Sequence, residues 1–393
     1  VSLAALVRPA GRATAAFYAG IFFALGAHLP FWPVWLKDWG LTDAEVGALL
    51  GGAVVARIAA GVGAPWLADA TGARRTALAL LGALGVAAFL LHLAAETRTM
   101  LIVLTLLTAV TLSGSIPIGD ALASAAARLH GFAYSEVRAV GSAAFLVANI
   151  VCGWAIGAFG AQAALWWIVA ALTLMSFAAL RHPGGARTPG AVMERPRLAE
   201  ALRLARRRPF LLAAAASACA QASHGPLYAY GSLHWRSQGI DDATIGMLWA
   251  WGVMVEVALM LWLGGWLTAR LGPWGCFAVS AVSGLARWIA MALEPSAAWL
   301  WLWQATHALS FAPAHLAAVA FVQAAAPERL AASAQGLIGA GMGGAAMAGA
   351  MFAAAAVYPA HGAGIYWLGA ALSACALGAA LTLRARWDGG ALG

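Results

Sequence analysis

Long apolar runs separated by short polar breaks dominate the chain. MLIVLTLLTAV, from Met100 to Val110, is as apolar as a bilayer interior, and runs of the same kind recur at 13–37, 43–67, 75–95, 99–127, 137–158, 162–180, 210–234, 243–268, 274–293, 297–324, 331–357 and 362–383. Crossing about 30 Å of hydrocarbon takes roughly 20 apolar residues at about 1.5 Å each, so the pattern predicts twelve membrane-spanning helices. The largest polar interruption, RHPGGARTPGAVMERPRLAEALRLARRRP from Arg181 to Pro209, follows the sixth run. It divides the chain into a six-helix bundle over 1–181, a cytoplasmic linker over 182–208 and a second six-helix bundle over 209–393. Within the linker, LAEALRLARRR reads as an amphipathic helix against the anionic leaflet.

Composition agrees with an all-α polytopic membrane protein. With 63% hydrophobic and 10% charged residues and a mean hydropathy of +0.82, the chain has too little polar surface to be soluble. The net charge of +8 raises the question of nucleic acid, and the placement of the basic residues answers it. With the N-terminus inside, 18 of the 23 fall in cytoplasmic segments, Lys37, Arg98 and Arg236 fall outside, and Arg57 and Arg287 fall within the membrane. The positive-inside rule therefore accounts for the basicity, puts both termini in the cytoplasm of a bacterial-type inner membrane, and leaves no call for nucleic acid. No cleavable signal stands apart from the first span, which is expected to serve as its own insertion signal. Cys152, Cys219, Cys276 and Cys375 all lie in predicted spans without CxxC spacing and read as packing residues.

The halves repeat. GLTDAEVGAL from Gly40 aligns with GIDDATIGML from Gly239, five of ten positions being identical at an offset of 199, and Trp66, Leu67 and Gly72 recur 200 residues on. Two related bundles with a substrate site at their interface is the arrangement that secondary carriers favour.

Four charges sit within predicted spans: Arg57, Asp120, Glu256 and Arg287. Each costs about 2.5–3.5 kcal/mol at a helix centre, so each requires a partner, a wet cavity or a function. Structural ion pairing is one reading. Two acids and two bases from four helices, drawn from both halves, fit a shared central cavity better. Ser113, Pro117, Asp120 and Ser124 recur at three- and four-residue steps and form a polar stripe, and Arg138, 18 residues past Asp120, is its expected partner. His28 and His224 stand beside Pro30 and Pro226 in the first helix of each half, where discontinuous helices expose backbone. His307 and His315 share a face of the tenth span but lie about 12 Å apart along it, too far to bind one metal directly. Most tryptophans read as interfacial anchors; Trp32 and Trp249 are candidates for stacking on a substrate ring.

PWLADATGARR, between the second and third spans, resembles the G-x-x-x-D-R-x-G-R-R loop of the major facilitator superfamily: Asp69, Gly72, Arg74 and Arg75 match, while Pro65 and Ala70 depart. LPFWPVWLKDWGLT from Leu29, SIPIGDALASA around Asp120, EVRAVGSAAF from Glu136, GVMVEV from Gly252 and LARW from Leu285 resemble the phenylpropionate permease group of that superfamily, and more distantly the lactose permease group of oligosaccharide:proton symporters. The resemblance implies a twelve-helix major facilitator fold, a gating role for Asp69, Gly72, Arg74 and Arg75, and a sliding contact at GAGMGGAAMAGA from Gly339. It also implies that Asp120 and Arg138 bind substrate, with Phe145 where the lactose permease group stacks a tryptophan. Glu256, Arg287 and His307 map onto residues of substrate binding and proton coupling. Ser310 stands where that group carries its proton glutamate, so a coupled carrier would use Asp120, Glu256 or His307.

The expected function is proton-coupled uptake of a small organic solute, an aromatic carboxylate, by alternating access in a monomer, with Arg57 and Arg287 on the carboxylate and Phe145 or Trp32 on the ring. A sugar or nucleoside symporter and a drug or metabolite efflux pump are the alternatives. No GxxxxGK cradle, HExxH or GxSxG is present, so neither an ATPase nor another enzyme is expected, and no cofactor or metal.

Overall fold

The computed structural model describes residues 4–184 and 198–392, and the regular elements among them are all helical. In the first half, α1 is Pro9–Trp39, α2 Asp43–Thr71, α3 Arg74–Leu91, α4 Arg98–His130, α5 Tyr134–Phe159 and α6 Gln162–Leu180. In the second half, α7 is Arg208–Ala222, α8 Gly225–Ser237, α9 Asp242–Trp262, α10 Gly264–Ala292, α11 Ala297–Ala305, α12 His307–Ala325, α13 Gly344–His361 and α14 Tyr366–Arg386. A short helix, Leu198–Ala205, falls in the expected amphipathic part of the linker; the rest of the linker's arginine-rich start lies outside the described residues.

Among the described residues, ten helices are long and apolar enough to cross a membrane, an arrangement consistent with twelve crossings. One of the ten, Ser333–Arg386, has 54 residues, which at about 1.5 Å each is more than twice the hydrocarbon thickness. It contains α13 and α14, which meet at the short helix Gly362–Ile365. α7 and α8, 15 and 13 residues, are each too short alone and supply one crossing between them. Their break at Ser223–His224, ahead of Pro226, bears out the discontinuity expected there. Pro30 and Pro33, by contrast, lie within an uninterrupted 31-residue α1. α10 is interrupted at Gly272 (φ 60°, ψ −178°), which precedes Pro273. Gly72, its counterpart in the repeat, also has a positive φ of 67°, a region open to glycine because it has no Cβ.

The chain forms two compact units that trade short segments: unit 1 is Val1–Thr42, Gly52–Gly190 and Trp235–Ala250, and unit 2 is Asp43–Gly51, Ala191–His234 and Trp251–Gly393. In unit 1, α1 packs on α5 and α6, and α3 on α4 and α6. In unit 2, α10 packs on α12 and α14, and α7 on α12 and α14. The traded segments carry the repeat from Asp43 to Leu49 and from Gly239 to Leu248. Within unit 2 a Cβ on Gly47 would run into the Tyr230 hydroxyl, which donates to the Asp43 carbonyl at 2.6 Å. Within unit 1 a Cβ on Gly246, the equivalent glycine, would run into the Asn149 carbonyl. Arg236 binds both oxygens of Asp242, at 2.8 and 2.9 Å, and reaches Asp38 on α1 at 3.2 Å, tying α8, α9 and α1 together within unit 1.

Candidate functional site

Within the spans, each unit carries a polar cluster among the described residues. In unit 1 it forms around Asp120 on α4. Tyr18 on α1 donates to Asp120 Oδ1 at 2.6 Å, and Tyr134, the first residue of α5, donates to the same oxygen at 3.1 Å. The two phenols are themselves 3.1 Å apart. Asp120 and Arg138 do not form the expected ion pair. The tyrosine hydroxyls reach the carboxylate first, and the Arg138 guanidinium lies over the rings of Phe22, 4.2 Å from its centroid, and Tyr18, 5.6 Å away. Gly141 makes this possible: a Cβ there would strike the Phe22 ring and approach Arg138 Nη1. Arg138 and Phe145 are seven residues apart on α5, hence on one face, and both are half-buried. Arg57 on α2 is also half-buried, near His28, and like Arg138 it pairs with no carboxylate among the described residues.

Trp32 has a different setting. It is fully buried in unit 1, stacked between His28 (centroids 5.6 Å apart) and Trp35 (4.7 Å) of its own helix, with Phe89 and His92 of the α3 end edge-on. Its indole Nε1 has no hydrogen-bond partner among the described residues.

In unit 2 the cluster forms around Arg287 on α10, which is 0% exposed. One terminal nitrogen, Nη1, donates to His307 Nδ1 at 3.0 Å and to Ser310 Oγ at 3.3 Å; the other, Nη2, donates to Gln304 Oε1. Its Cζ lies 4.6 Å from the Trp288 ring centroid. The far nitrogen of the imidazole, His307 Nε2, is 3.2 Å from Glu256 Oε2 on α9. Gly252, one turn before Glu256, lies close against this group: a Cβ there would crowd the Gln304 carbonyl and come into contact with the His307 side chain. His224, at the α7–α8 break, stacks edge-on to His307 and reaches Ser310 Oγ with Nε2 at 3.2 Å. His307 opens α12 immediately after the break at Thr306, so the tenth crossing is interrupted at its most polar point.

The loop residues are held locally. Asp69 and Arg74 pair at 2.5 Å, both exposed, while Arg75 donates to the carbonyls of Pro183, at 3.3 Å, and Gly184, which fastens the α2–α3 loop to the chain leaving α6. His182 beside them is buried and accepts from the Gly184 amide at 3.1 Å; burial, with help from Arg75, lowers its pKa to about 4, so it is neutral at pH 7. Tyr18, Tyr134, Phe22 and Gln304 were absent from the sequence-based candidate set. Tyr134 precedes Arg138 by four residues on α5, a spacing that shares a helix face and could have flagged it.

An all-helical chain with these crossings, two units and a polar cluster in each belongs to the class of polytopic membrane carriers. The MFS_1 like family matches residues 13–368, and the chain belongs to that family within the major facilitator superfamily. The chain is 30% identical over 311 residues to the probable 3-phenylpropionic acid transporter of Escherichia coli (strain K12), covering 78% of this chain and 80% of that one. It is 28% identical over 343 residues to the maltose permease of Geobacillus stearothermophilus, covering 83% of each. The crystal structure of the nucleoside transporter NupG superposes with a TM-score of 0.81 at 14% identity, over 97% of this chain and 100% of that one, and supports the fold. The chain is therefore a multi-pass membrane transporter of a small solute and not an enzyme.

Proposed function

We propose that the chain takes up a small aromatic carboxylate together with a proton, as a monomer in a bacterial-type inner membrane with both termini in the cytoplasm. The bundles over 1–181 and 209–393 would alternate access by rocking, with the loop of Asp69, Gly72, Arg74 and Arg75 as a gating contact. The observation that carries the reading is Arg138: a half-buried guanidinium without a carboxylate partner, lying against aromatic rings. An arginine in that state offers a planar fork to a carboxylate and an aromatic wall to the group behind it. Arg57 is likewise half-buried without a carboxylate partner among the described residues, whereas both terminal nitrogens of Arg287 are already engaged. The geometry thus favours Arg57 and Arg138 over the expected Arg57 and Arg287 as carboxylate holders, and Phe145 over the enclosed Trp32 as the ring contact. Asp120, Glu256 and His307 supply proton chemistry and hydroxyl contacts. Resemblance to the probable 3-phenylpropionic acid transporter supports this solute class.

A second reading, sugar symport, draws on the maltose permease relative and on the acid–histidine pair of unit 2, which suits hydroxyl binding. In proteoliposomes with an alkaline interior, short-time uptake of labelled 3-phenylpropionate should exceed the passive entry seen in protein-free liposomes, and maltose should not compete. Competition by maltose but not by aryl acids supports the sugar reading. Export of the acid driven by an inward proton gradient would make the protein an efflux pump.

A further inference from the structure

The linker helix Leu198–Ala205 turns one side toward protein. Glu200, Arg203, Leu204 and Arg207 recur at three- and four-residue steps and share that side. Leu204 is buried in the core of unit 2 with Phe210, Phe321 and Leu330, so its apolar surface is already spent on the bundle and not on the bilayer. Together with Pro327, Leu330 and Leu392, these four residues line a cavity of about 350 Å³ within unit 2. Three separate parts of the chain supply its walls. The linker segment runs into α7 at Arg208, and Pro327 follows the end of α12 at Ala325. Leu392, beyond α14, donates its amide to the Ala325 carbonyl at 2.8 Å, and Trp387 packs on Phe321 with centroids 4.8 Å apart, which pins the tail as the third wall.

The chemistry of the lining selects the ligand. Its floor is apolar, from Leu204 and Leu330, and its rim carries the exposed Arg203 and Arg207 with the half-buried Glu200; Arg206 and Arg208 flank it. Two cations against one acid favour an anion, and a guanidinium fork matches phosphate oxygens. Depth then separates a lipid from a soluble phosphate. Arg207 stands one residue before α7 and Pro327 two residues after α12, so the cavity sits at the ends of two crossings, within a headgroup layer about 5–7 Å thick. A soluble phosphate would engage the arginines and leave the leucine floor wet, whereas an amphiphile covers both. We propose that this cavity binds one anionic phospholipid of the adjoining leaflet, its phosphate between Arg203 and Arg207 and its glycerol and first acyl carbons over Leu204, Leu330 and Leu392. At about 350 Å³ the space suits a headgroup and not a whole lipid, so the chains stay in the bilayer. The lipid then joins the linker helix, the exit of α12 and the tail. This site is independent of the solute carried and of proton coupling.

The test uses the purified full chain in neutral detergent and native mass spectrometry, which gives the apparent Kd of the first phosphatidylglycerol bound; phosphatidylcholine and sn-glycerol 3-phosphate are the comparisons. A basic residue beside an anionic headgroup contributes about fivefold in affinity, so Arg203→Gln with Arg207→Gln should weaken phosphatidylglycerol about 30-fold. Arg206→Gln with Arg386→Gln removes the same charge from exposed residues outside the cavity and should weaken it less than about threefold. Glu200→Gln should tighten it about two- to fivefold, a gain that damage to the fold would not produce. A photoactivatable phosphatidylglycerol should label the peptides around 198–208, 327–330 or 392, and lose that label in the Arg203/Arg207 double variant. Equal weakening in the two double variants would mean diffuse surface charge and overturn the site. Phosphatidylcholine binding as tightly as phosphatidylglycerol, or labelling confined to other peptides, overturns it too. Displacement of the lipid by equimolar sn-glycerol 3-phosphate would make the cavity a soluble phosphate-ester site and refute the lipid assignment.

Discussion

Replacing Arg138 by alanine tests the substrate reading most directly. In unit 1 the guanidinium is half-buried, bonded to no carboxylate, and rests 4.2 Å from the Phe22 ring centroid. A hydrogen bond to a charged partner at such a site contributes about 1.5–3 kcal/mol. Part of the stacking on Phe22 and Tyr18, about 0.5 kcal/mol, is given up when the fork turns to a ligand. The net loss in Arg138→Ala is then about 1–2.5 kcal/mol, or roughly 5- to 70-fold in Kd for 3-phenylpropionate. Disturbance of the aromatic wall would weaken any ligand, so the control is 3-phenylpropanol, which has the ring without the carboxylate. Kd for both is measured by isothermal titration at one pH on wild type and variant, a double-mutant cycle with one arm on the ligand. The alcohol should change by less than about threefold, and Arg138→Lys should recover part of the acid's affinity through charge alone. Equal losses for acid and alcohol would refute the assignment and return Arg138 to a packing role.

Two further outcomes concern the loop between α8 and α9. Arg236→Gln leaves the Asp242 carboxylate, 11% exposed, without its two-pronged partner and should cost about 1–3 kcal/mol in thermal unfolding in detergent, whereas Asp38→Asn, at a 46% exposed carboxylate, should cost under about 1 kcal/mol; equal costs would contradict the partition. Asp241 accepts from the Thr244 amide and hydroxyl at 2.9 and 2.7 Å, and these bonds hold its carboxyl below the usual range, so its contribution is complete above about pH 4 and disappears as pH falls through the lower folded value. Asp241→Ala should therefore cost about 1 kcal/mol at pH 7 and nothing further on acidification, and an unchanged acid limb relative to wild type would count against it.

The elements were legible because a bilayer imposes one local rule. Runs of about 20 apolar residues mark crossings wherever they occur, and the break at Ser223–His224 was foreshadowed by Pro226. The repeat at Gly40 and Gly239 marked related segments but not that each packs in the unit holding most of the other half, as Gly47 and Gly246 do. The charged members of the two clusters were legible for the same reason: Asp120, Glu256 and Arg287 stand out against apolar neighbours. Tyr18 and Gln304 did not, since a tyrosine or an amide is unremarkable in a span until its partner is known.

By itself, the sequence determined the solvent, the helices, their order and which side chains carry charge, since hydrophobicity and helical period act over a few turns. Tertiary structure decided the pairings. Asp120 is bound by phenols from residues 18 and 134 and not by Arg138, and the Arg287–His307–Glu256 series joins three helices. Partners in a bundle depend on how each helix is turned about its axis and placed along it against neighbours distant in the chain, and a shift of one turn along α5 exchanges Arg138 for Tyr134.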